Sequence, residues 1–300
     1  MEENHAHILA SLEHRIMNER VIYRLLLPTA ALGGALLLGG GFVYVRKVEP
    51  EDVEVVSVSL VLPRLDNRFD GYRIAQISDL HTDSWMTPGR VLGLVNLVNA
   101  EEPDLVAITG DFATHSRFRS LIRHALGLAA PLRRLRAPDG VVAVLGNHDH
   151  KTDTQAIRRV LATSGVVELC NHVLTLRRDR AVLHLCGIDD VREGTVDLDA
   201  VLRRLPEEGA AVLLAHEPDF ADESAVAGRF DLQLSGHSHG GQVGLPLIRA
   251  LFLPKLSRRY PSGLYRVNDM YLYTNRGLGA HPRFRFNCRP EITVFTLRSS

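Results

Sequence analysis

Five short apolar runs in this 300-residue chain each end in Asp, Asn or His. They read YRIAQISDLH, LVAITGD, VVAVLGNHD, VLLAHEPD and FDLQLSGHSH. Short apolar runs of this kind are typical of strands buried in a sheet that is covered on both faces. Segments with apolar residues at helical spacing lie between some of them. The pattern therefore predicts an α/β fold, a layered sandwich with sheets inside and helices outside.

The polar residues at the ends of these runs are of one chemical type. In α/β proteins the site usually lies at the carboxyl ends of the strands, so we expect these residues to converge. One Asp, Asn or His at a strand end is ordinary turn or capping chemistry, but five such ends in one chain indicate a shared cleft. The expected cleft residues are Asp79, His81, Asp111, Asn147, His148, Asp149, His216, His237 and His239.

Asp79 with His81, and His237 with His239, are each two residues apart. Alternate residues of an extended segment point to the same side, so both members of a pair can face one cleft. Glycines beside the histidines let the backbone pass close to ions. Carboxylate, amide and imidazole ligands suit Mn²⁺, Fe or Zn²⁺ better than Ca²⁺. The number of candidate ligands favours two metal ions, which at about 3.5–4 Å apart can clamp the oxygens of a displacement at phosphorus.

The ordered series SDLH, TGD, GNHD, AHEPD and GHSHGGQ, between about residues 72 and 242, resembles the calcineurin-like metallophosphoesterase superfamily. With NRGLG and RFNCRPEI, it is similar to the membrane-associated bacterial branch of YkuE- and YaeI-type phosphodiesterases. The resemblance implies a four-layer α/β/β/α sandwich, in which two facing sheets are flanked by helices. It also implies phosphodiester hydrolysis by a metal-bridged hydroxide, with two divalent cations, Mn²⁺ first and Fe or Zn²⁺ as alternatives.

The resemblance assigns roles to individual residues. The expected ligands of one ion are Asp79, His81 and His239. Those of the other ion are Asn147, His216 and His237. Asp111 is expected to bridge the two ions. His148 is expected to protonate the leaving oxygen or stabilise charge on the phosphoryl group, and Asp149 to orient a neighbouring group. Outside the motifs, Asn275 and Arg276 are candidate contacts to a substrate phosphate, although a turn with an exposed arginine would give the same pattern.

Residues 25–45 carry no charge. About twenty helical residues at about 1.5 Å each cross a hydrocarbon core of roughly 30 Å. A cleaved signal peptide is the alternative, but the run is long for one and no small-x-small cleavage site follows Val45. We therefore predict a polar segment over residues 1–24, a transmembrane helix over 25–46 and a metallophosphoesterase domain over 48–300.

The predicted anchor implies a single-pass protein of the bacterial inner membrane. Basic residues flank both ends of the apolar run, so the positive-inside rule gives only a slight preference for its orientation. Lys plus Arg and Asp plus Glu both number 35, and this balance argues against a nucleic-acid partner. The expected partner is a phosphoester, with lipid-linked and envelope molecules as the candidates. No obligate protein partner is indicated.

Two other functions fit the same motifs. A related branch of the superfamily hydrolyses UDP-2,3-diacylglucosamine in lipid A synthesis, so a pyrophosphatase acting on an activated lipid is the first alternative. A non-catalytic metal-binding membrane scaffold is the second. The histidine at position 148 argues against the scaffold, because a purely structural metal site does not need that non-ligand residue.

Overall fold

The computed structural model describes residues 37–114, 125–280 and 282–300, together with Met17 and Gly34. The chain divides into two units, residues 1–48 and residues 49–300. In the first unit, residues 37–43 are helical and a π-helical turn follows over Tyr44–Val48.

Half of the predicted anchor lies outside the described residues, which omit 25–33, 35 and 36. Within the ranges that are described, every helix is too short or too polar to cross a membrane. The transmembrane helix over 25–46 therefore stays a prediction.

The described part of the second unit contains two six-stranded sheets. The strands of the first sheet are β1 (Glu54–Val61), β2 (Arg73–Ile77), β3 (Leu105–Thr109), β4 (Val141–Val144), β5 (Val166–Glu168) and β12 (Glu291–Arg298). Those of the second are β6 (His172–Arg178), β7 (Ala181–Gly187), β8 (Ala210–Leu214), β9 (Leu232–Ser235), β10 (Gly263–Val267) and β11 (Met270–Thr274). The spatial orders are β1-β12-β2-β3-β4-β5 and β10-β11-β9-β8-β7-β6.

Each sheet is mixed, with a block of four parallel strands that includes its centre. In the first sheet β2, β3, β4 and β5 run parallel, whereas β12 is antiparallel to β2. In the second sheet β7, β8, β9 and β11 run parallel, and the edge strands β6 and β10 are antiparallel to their neighbours. The parallel centres bring the carboxyl ends of several strands to one edge of each sheet, where α/β proteins usually place their sites.

Helices connect the strands. The described ones are α1 (Pro88–Ala100), α2 (Ala129–Leu132), α3 (Asn147–Thr152), α4 (Thr154–Ser164), α5 (Leu198–Arg204), α6 (Ala221–Ser224) and α7 (Pro246–Phe252). Their starts follow local chemistry: the Thr87 side chain caps α1 ahead of Pro88, and the Asp153 side chain caps α4 by accepting from the Ala156 amide. Such caps satisfy amides that have no partner inside the helix.

The larger hydrophobic core joins the two sheets. It contains Ile74 and Ile108 of the first sheet, Leu185 and Leu234 of the second, and α1 residues such as Val95. A smaller core lies on the other face of the second sheet, with α5. The predicted α/β class, with mixed sheets and helices in layers, is therefore confirmed. The cysteines at positions 170, 186 and 288 are all buried and free of disulfides.

Candidate active site

Polar side chains follow the carboxyl ends of β2, β3 and β4 in the first sheet and of β8 and β9 in the second. Within each sheet these strands are parallel neighbours, so their ends share an edge. The side chains delivered in this way are Asp79, His81, Asp111, Asn147, His216, His237 and His239. All seven, which were predicted as ligands from the sequence, lie at this one place.

Asp79, His81 and His239 form a first group. The Nε2 atoms of His81 and His239 are 3.0 Å apart. The Asp79 Oδ1 atom lies 3.4 Å from the His239 Nε2 atom and 3.8 Å from the His81 Nε2 atom. One donor atom from each residue can therefore reach a common point, as the ligands of a single cation must.

Asp111, His216 and His237 form a second group. The His216 Nε2 atom lies 3.3 Å from Asp111 Oδ2 and 3.2 Å from His237 Nδ1. The same Asp111 oxygen is 3.4 Å from the His81 Nε2 atom of the first group. The Asp111 carboxylate therefore stands between the two groups and contacts both.

Backbone carbonyls orient both histidines of the second group. The His216 Nδ1 atom donates to the carbonyl of Thr109 over 2.7 Å, and the His237 Nε2 atom donates to the carbonyl of Lys255 over 2.9 Å. A ring nitrogen bonded to a carbonyl carries a proton, so it is the opposite nitrogen that faces the group. Histidines that bind metals are commonly held by a partner in this way.

Asn147 begins α3 and lines the cavity above the two groups. Its Oδ1 atom is buried and has no hydrogen-bond partner among the described residues. A buried amide oxygen without a partner is costly, so it calls for a ligand. Together with the carboxylates and imidazoles, this oxygen fits a pair of divalent cations.

Burial keeps three of the histidines neutral. It lowers the pKa of His81 and of His237 well below the usual range of an imidazole. It also lowers the pKa of His239 to about 3, with a further contribution from the charge of Arg285. Neutral imidazoles with free lone pairs are the form that binds metals.

Asp111 and His216 behave differently because each stabilises the charge of the other. Burial opposes ionisation of both groups, but their mutual attraction outweighs it. The pKa of Asp111 therefore lies well below its usual range and that of His216 well above. The proton on His216 balances the carboxylate, and a divalent cation could take its place.

The backbone at the two groups is left-handed rather than extended. Asp79, His81, Asp111, His237 and His239 have φ angles between 47° and 66°. The prediction of an extended backbone was therefore wrong, although both members of each pair still lie at the site. Residues other than glycine adopt this conformation at a cost on the order of 1–3 kcal/mol each, and such strain concentrates at functional sites.

Close backbone packing supports this geometry. A Cβ atom at Gly236 would lie 1.9 Å from Ser78 Oγ and 2.4 Å from Asp79 Oδ2. A Cβ atom at Gly146 would lie 2.3 Å from Asp111 Oδ1. These glycines let neighbouring loops approach the acidic residues of both groups.

Replacing Gly236 by Ala should lower the free energy of unfolding by about 1–3 kcal/mol, because the added methyl overpacks a buried site. Gly93→Ala is the matched control, since a Cβ atom there has open space in α1 and should stabilise the helix by about 0.5–1 kcal/mol. Thermal unfolding of both variants measures the difference. Equal stability of Gly236→Ala and the parent would contradict the close packing.

His148 and Asp149 follow Asn147 in α3. The His148 backbone amide donates to Asp111 Oδ1 over 2.8 Å, and its ring meets the His81 ring edge-on and lines the cavity. The Asp149 carboxylate accepts from the backbone amides of Gly146 and Ala113, both over 3.0 Å. Burial and the nearby charge of Asp111 raise the pKa of Asp149 to about 7. Asp149 thus joins the loops that follow β3 and β4.

Asn275 and Arg276 make structural contacts instead of facing the cavity. Asn275 Nδ2 donates to Thr293 Oγ1 over 2.8 Å. The Arg276 guanidinium pairs with Glu291 of β12 and with Glu54 of β1, the latter over 2.7 Å. Neither residue is among the described ones that line the cavity. Both side chains connect the segment after β11 to the first sheet.

The cavity has lining residues that the sequence reasoning missed. They are Arg192, Ser238, Gln242, Phe252 and Pro254. Of the described residues in the lining, Arg192 is the sole lysine or arginine, and it is exposed. The available signal was the stretch GIDDVREG, in which polar residues follow the end of β7 as they follow the other central strands.

Buried carboxylates shape the turn that carries Arg192. Asp190 Oδ1 accepts from the backbone amides of Arg192 and Glu193, over 3.1 and 2.7 Å. Glu217, the neighbour of His216, accepts from the amide of Val191 over 3.1 Å. The turn is thereby tied to the strand end that supplies a residue of the second group.

Comparison with known proteins identifies similar sequences. The sequence model described as calcineurin-like phosphoesterase matches residues 72–241. The uncharacterized metallophosphoesterase YkuE of Bacillus subtilis is 35% identical over 274 residues, which cover 90% of this chain and 94% of that protein. The phosphodiesterase YaeI of Escherichia coli is 30% identical over 281 residues, covering 91% and 98%. A transmembrane protein with metallophosphoesterase domain from Danio rerio is 31% identical over 264 residues, covering 82% and 58%.

Proposed function

Because this chain belongs to the calcineurin-like phosphoesterase family and is therefore a metal-dependent phosphoester hydrolase, we propose that it is a phosphodiesterase with a dinuclear metal site. The observation that carries the proposal is the Asp111 carboxylate. Its Oδ2 atom lies 3.4 Å from His81 and 3.3 Å from His216, so it connects two groups of potential ligands. The name of the YaeI relative supports a diester as substrate.

The two ions would have separate ligand sets. The assignment is Asp79, His81 and His239 for one ion, Asn147, His216 and His237 for the other, and Asp111 for both. Imidazole, carboxylate and amide donors favour Mn²⁺, with Fe and Zn²⁺ as alternatives. When bound, the ions supply positive charge that polarises the phosphoryl group and lowers the pKa of an attacking water.

The chain's own residues would do the remaining work. The His148 ring, at the cavity wall beside His81, donates a proton to the leaving oxygen. The Arg192 guanidinium at the cavity holds a non-bridging phosphate oxygen, for which its planar donors are suited. Asp149 keeps the loops of Asp111 and Asn147 in place through two backbone amides.

We further propose that residues 25–46 anchor the enzyme in the bacterial inner membrane as a single span, and that its substrate is lipid-linked or part of the envelope. The uncharged run supports the anchor because it is long enough to cross a bilayer. The name of the Danio rerio relative, a transmembrane protein, also supports it. An anchored enzyme meets membrane-bound substrates more often than one that diffuses freely.

The proposed function is tested by comparing three substrates with the purified full chain and Mn²⁺. We expect hydrolysis of bis(p-nitrophenyl) phosphate, and slower hydrolysis of p-nitrophenyl phosphate and of UDP-2,3-diacylglucosamine. Faster cleavage of UDP-2,3-diacylglucosamine than of bis(p-nitrophenyl) phosphate would contradict the phosphodiesterase and support the pyrophosphatase. Faster hydrolysis of p-nitrophenyl phosphate than of the other two substrates would contradict both the phosphodiesterase and the pyrophosphatase function.

Replacing Arg192 by Ala should lower kcat/KM for bis(p-nitrophenyl) phosphate, chiefly through a higher KM. A hydrogen bond to a charged group contributes about 1.5–3 kcal/mol, which corresponds to a loss of about 10- to 150-fold. Arg192→Lys should recover part of this loss, because it keeps the charge but not the planar donors. Arg203→Ala in α5, also exposed, is the matched control. Equal kcat/KM and KM values for the Arg192→Ala and Arg203→Ala variants would show that Arg192 does not bind the substrate.

A further inference from the structure

Helix α7 turns an apolar side towards solvent. Leu245, Ile248, Leu251 and Phe252 are 39%, 43%, 82% and 53% exposed. At about 100° per residue, these four positions fall within an arc of about 120° around the helix. Together they form one apolar strip, the α7 strip, rather than scattered surface residues.

The basic residue of α7 lies outside this strip and packs inward. The Arg249 Cγ atom lies so close to Gly241 that a Cβ atom on that glycine would be 2.4 Å away. Its guanidinium donates to Ser262 Oγ over 3.3 Å. Surface helices normally bury their apolar stripe and expose their charged residues. Here the arrangement is reversed, which is typical of a surface that meets an apolar ligand.

The α7 strip is continuous with the catalytic cavity. Phe252 belongs to the strip and also lines the cavity, as does Pro254 just beyond the helix. The next residue, Lys255, accepts a hydrogen bond from His237 through its backbone carbonyl over 2.9 Å. The segment that carries the strip is thus fixed directly to a residue of the second group.

We propose that the α7 strip binds the alkyl or acyl chain of a phosphodiester substrate whose phosphate lies in the cavity. The inference rests on the proposed phosphodiesterase function and narrows its substrate class to diesters with a long apolar substituent. The shared Phe252 provides a continuous path from phosphate to chain, while Arg192 at the cavity complements the anionic end. A second copy of the chain or a bilayer could cover the strip, but neither would account for its continuity with the cavity.

The test compares methyl 4-nitrophenyl phosphate with octyl 4-nitrophenyl phosphate, which share the leaving group and differ in the chain. The full chain with Mn²⁺ is assayed below the micellar concentration of the octyl ester. We expect kcat/KM to be about tenfold or more higher for the octyl ester, because burial of several methylenes on the strip favours its binding. This octyl-to-methyl ratio should fall towards one in the double variant Ile248→Ser, Leu251→Ser.

Val226→Ser is the matched control, because Val226 is 78% exposed and lies outside α7. It should keep the octyl-to-methyl ratio of the parent. A parent ratio near one, or an unchanged ratio in the double variant, would overturn the proposal. If the octyl ester is preferred only when it is presented in vesicles, the strip is assigned to a bilayer. If the double variant loses this preference and also changes from dimer to monomer, the strip is assigned to a second copy of the chain. Absence of hydrolysis of both esters would instead refute the phosphodiesterase function itself.

Discussion

Replacing Asp111 by Asn is expected to lower kcat/KM for bis(p-nitrophenyl) phosphate by at least about a thousandfold. The substitution keeps the shape of the side chain but removes the charge that connects the two groups. Asp111 Oδ2 lies within 3.4 Å of His81 and 3.3 Å of His216, so loss of its charge weakens both proposed metal sites. Metal ions supply several kcal/mol of charge stabilisation, and about 4 kcal/mol corresponds to a thousandfold change in rate.

The matched control for this variant is Asp269→Asn, which changes an aspartate that is fully exposed. It should leave both activity and metal content unchanged. Elemental analysis of the Asp111→Asn protein should show fewer than two ions per chain. If this variant kept two ions and its activity stayed within tenfold of the parent, Asp111 would not be the bridging ligand.

His148→Ala should lower kcat by about 10²–10⁴-fold for a diester with a poor leaving group, as loss of a general acid does. Its metal content should not change. The hydrogen bond that holds Asp111 comes from the backbone amide of His148, and alanine retains that amide. The variant therefore separates proton donation from metal binding.

The leaving group makes this prediction specific. Diphenyl phosphate needs protonation of its departing oxygen more than bis(p-nitrophenyl) phosphate does. His148→Ala should therefore lower kcat by a larger factor for diphenyl phosphate. His172→Ala, at an exposed position in β6, should show normal rates with both substrates. Equal losses with the two diesters, or loss of bound metal, would contradict a general-acid role.

The convergence of the strand-end residues could be predicted because it follows from a general property of parallel sheets. The apolar runs identify the strands, and the ends of parallel neighbours share an edge. No contact between distant residues had to be known for that step. The turn that carries Arg192 follows β7, which is not one of the five runs, so its place at the site was not predicted.

The conformation of the site loops could not be predicted because contacts between distant segments set it. The amide of Asp79 donates to the carbonyl of Gly110, and the amide of His81 to that of Asp111, both over 3.0 Å. These bonds join segments about thirty residues apart. They accompany a left-handed backbone, whereas the local spacing of the residues suggested an extended one.

Arg285 gives a second example. Residues 283–286 read RFRF, an alternation that is typical of a half-buried strand or a cationic surface, yet Arg285 is fully buried. Its guanidinium donates to the carbonyls of Arg276, Gly277 and Gly279. Because the amide of Gly279 in turn donates to the carbonyl of Asp79 over 2.7 Å, Arg285 supports the first group from behind. A pattern of residue types does not reveal that the carbonyls of the preceding loop converge on one guanidinium.

The central claim, a dinuclear phosphodiesterase site bridged by Asp111, is tested most directly by titrating the metal-free full chain with Mn²⁺. Bound metal per chain and hydrolysis of bis(p-nitrophenyl) phosphate should be measured on the same samples. The predicted result is two ions per chain at saturation, with hydrolysis that rises as the second ion binds. Full activity with a single ion, or two bound ions without hydrolysis, would contradict the claim.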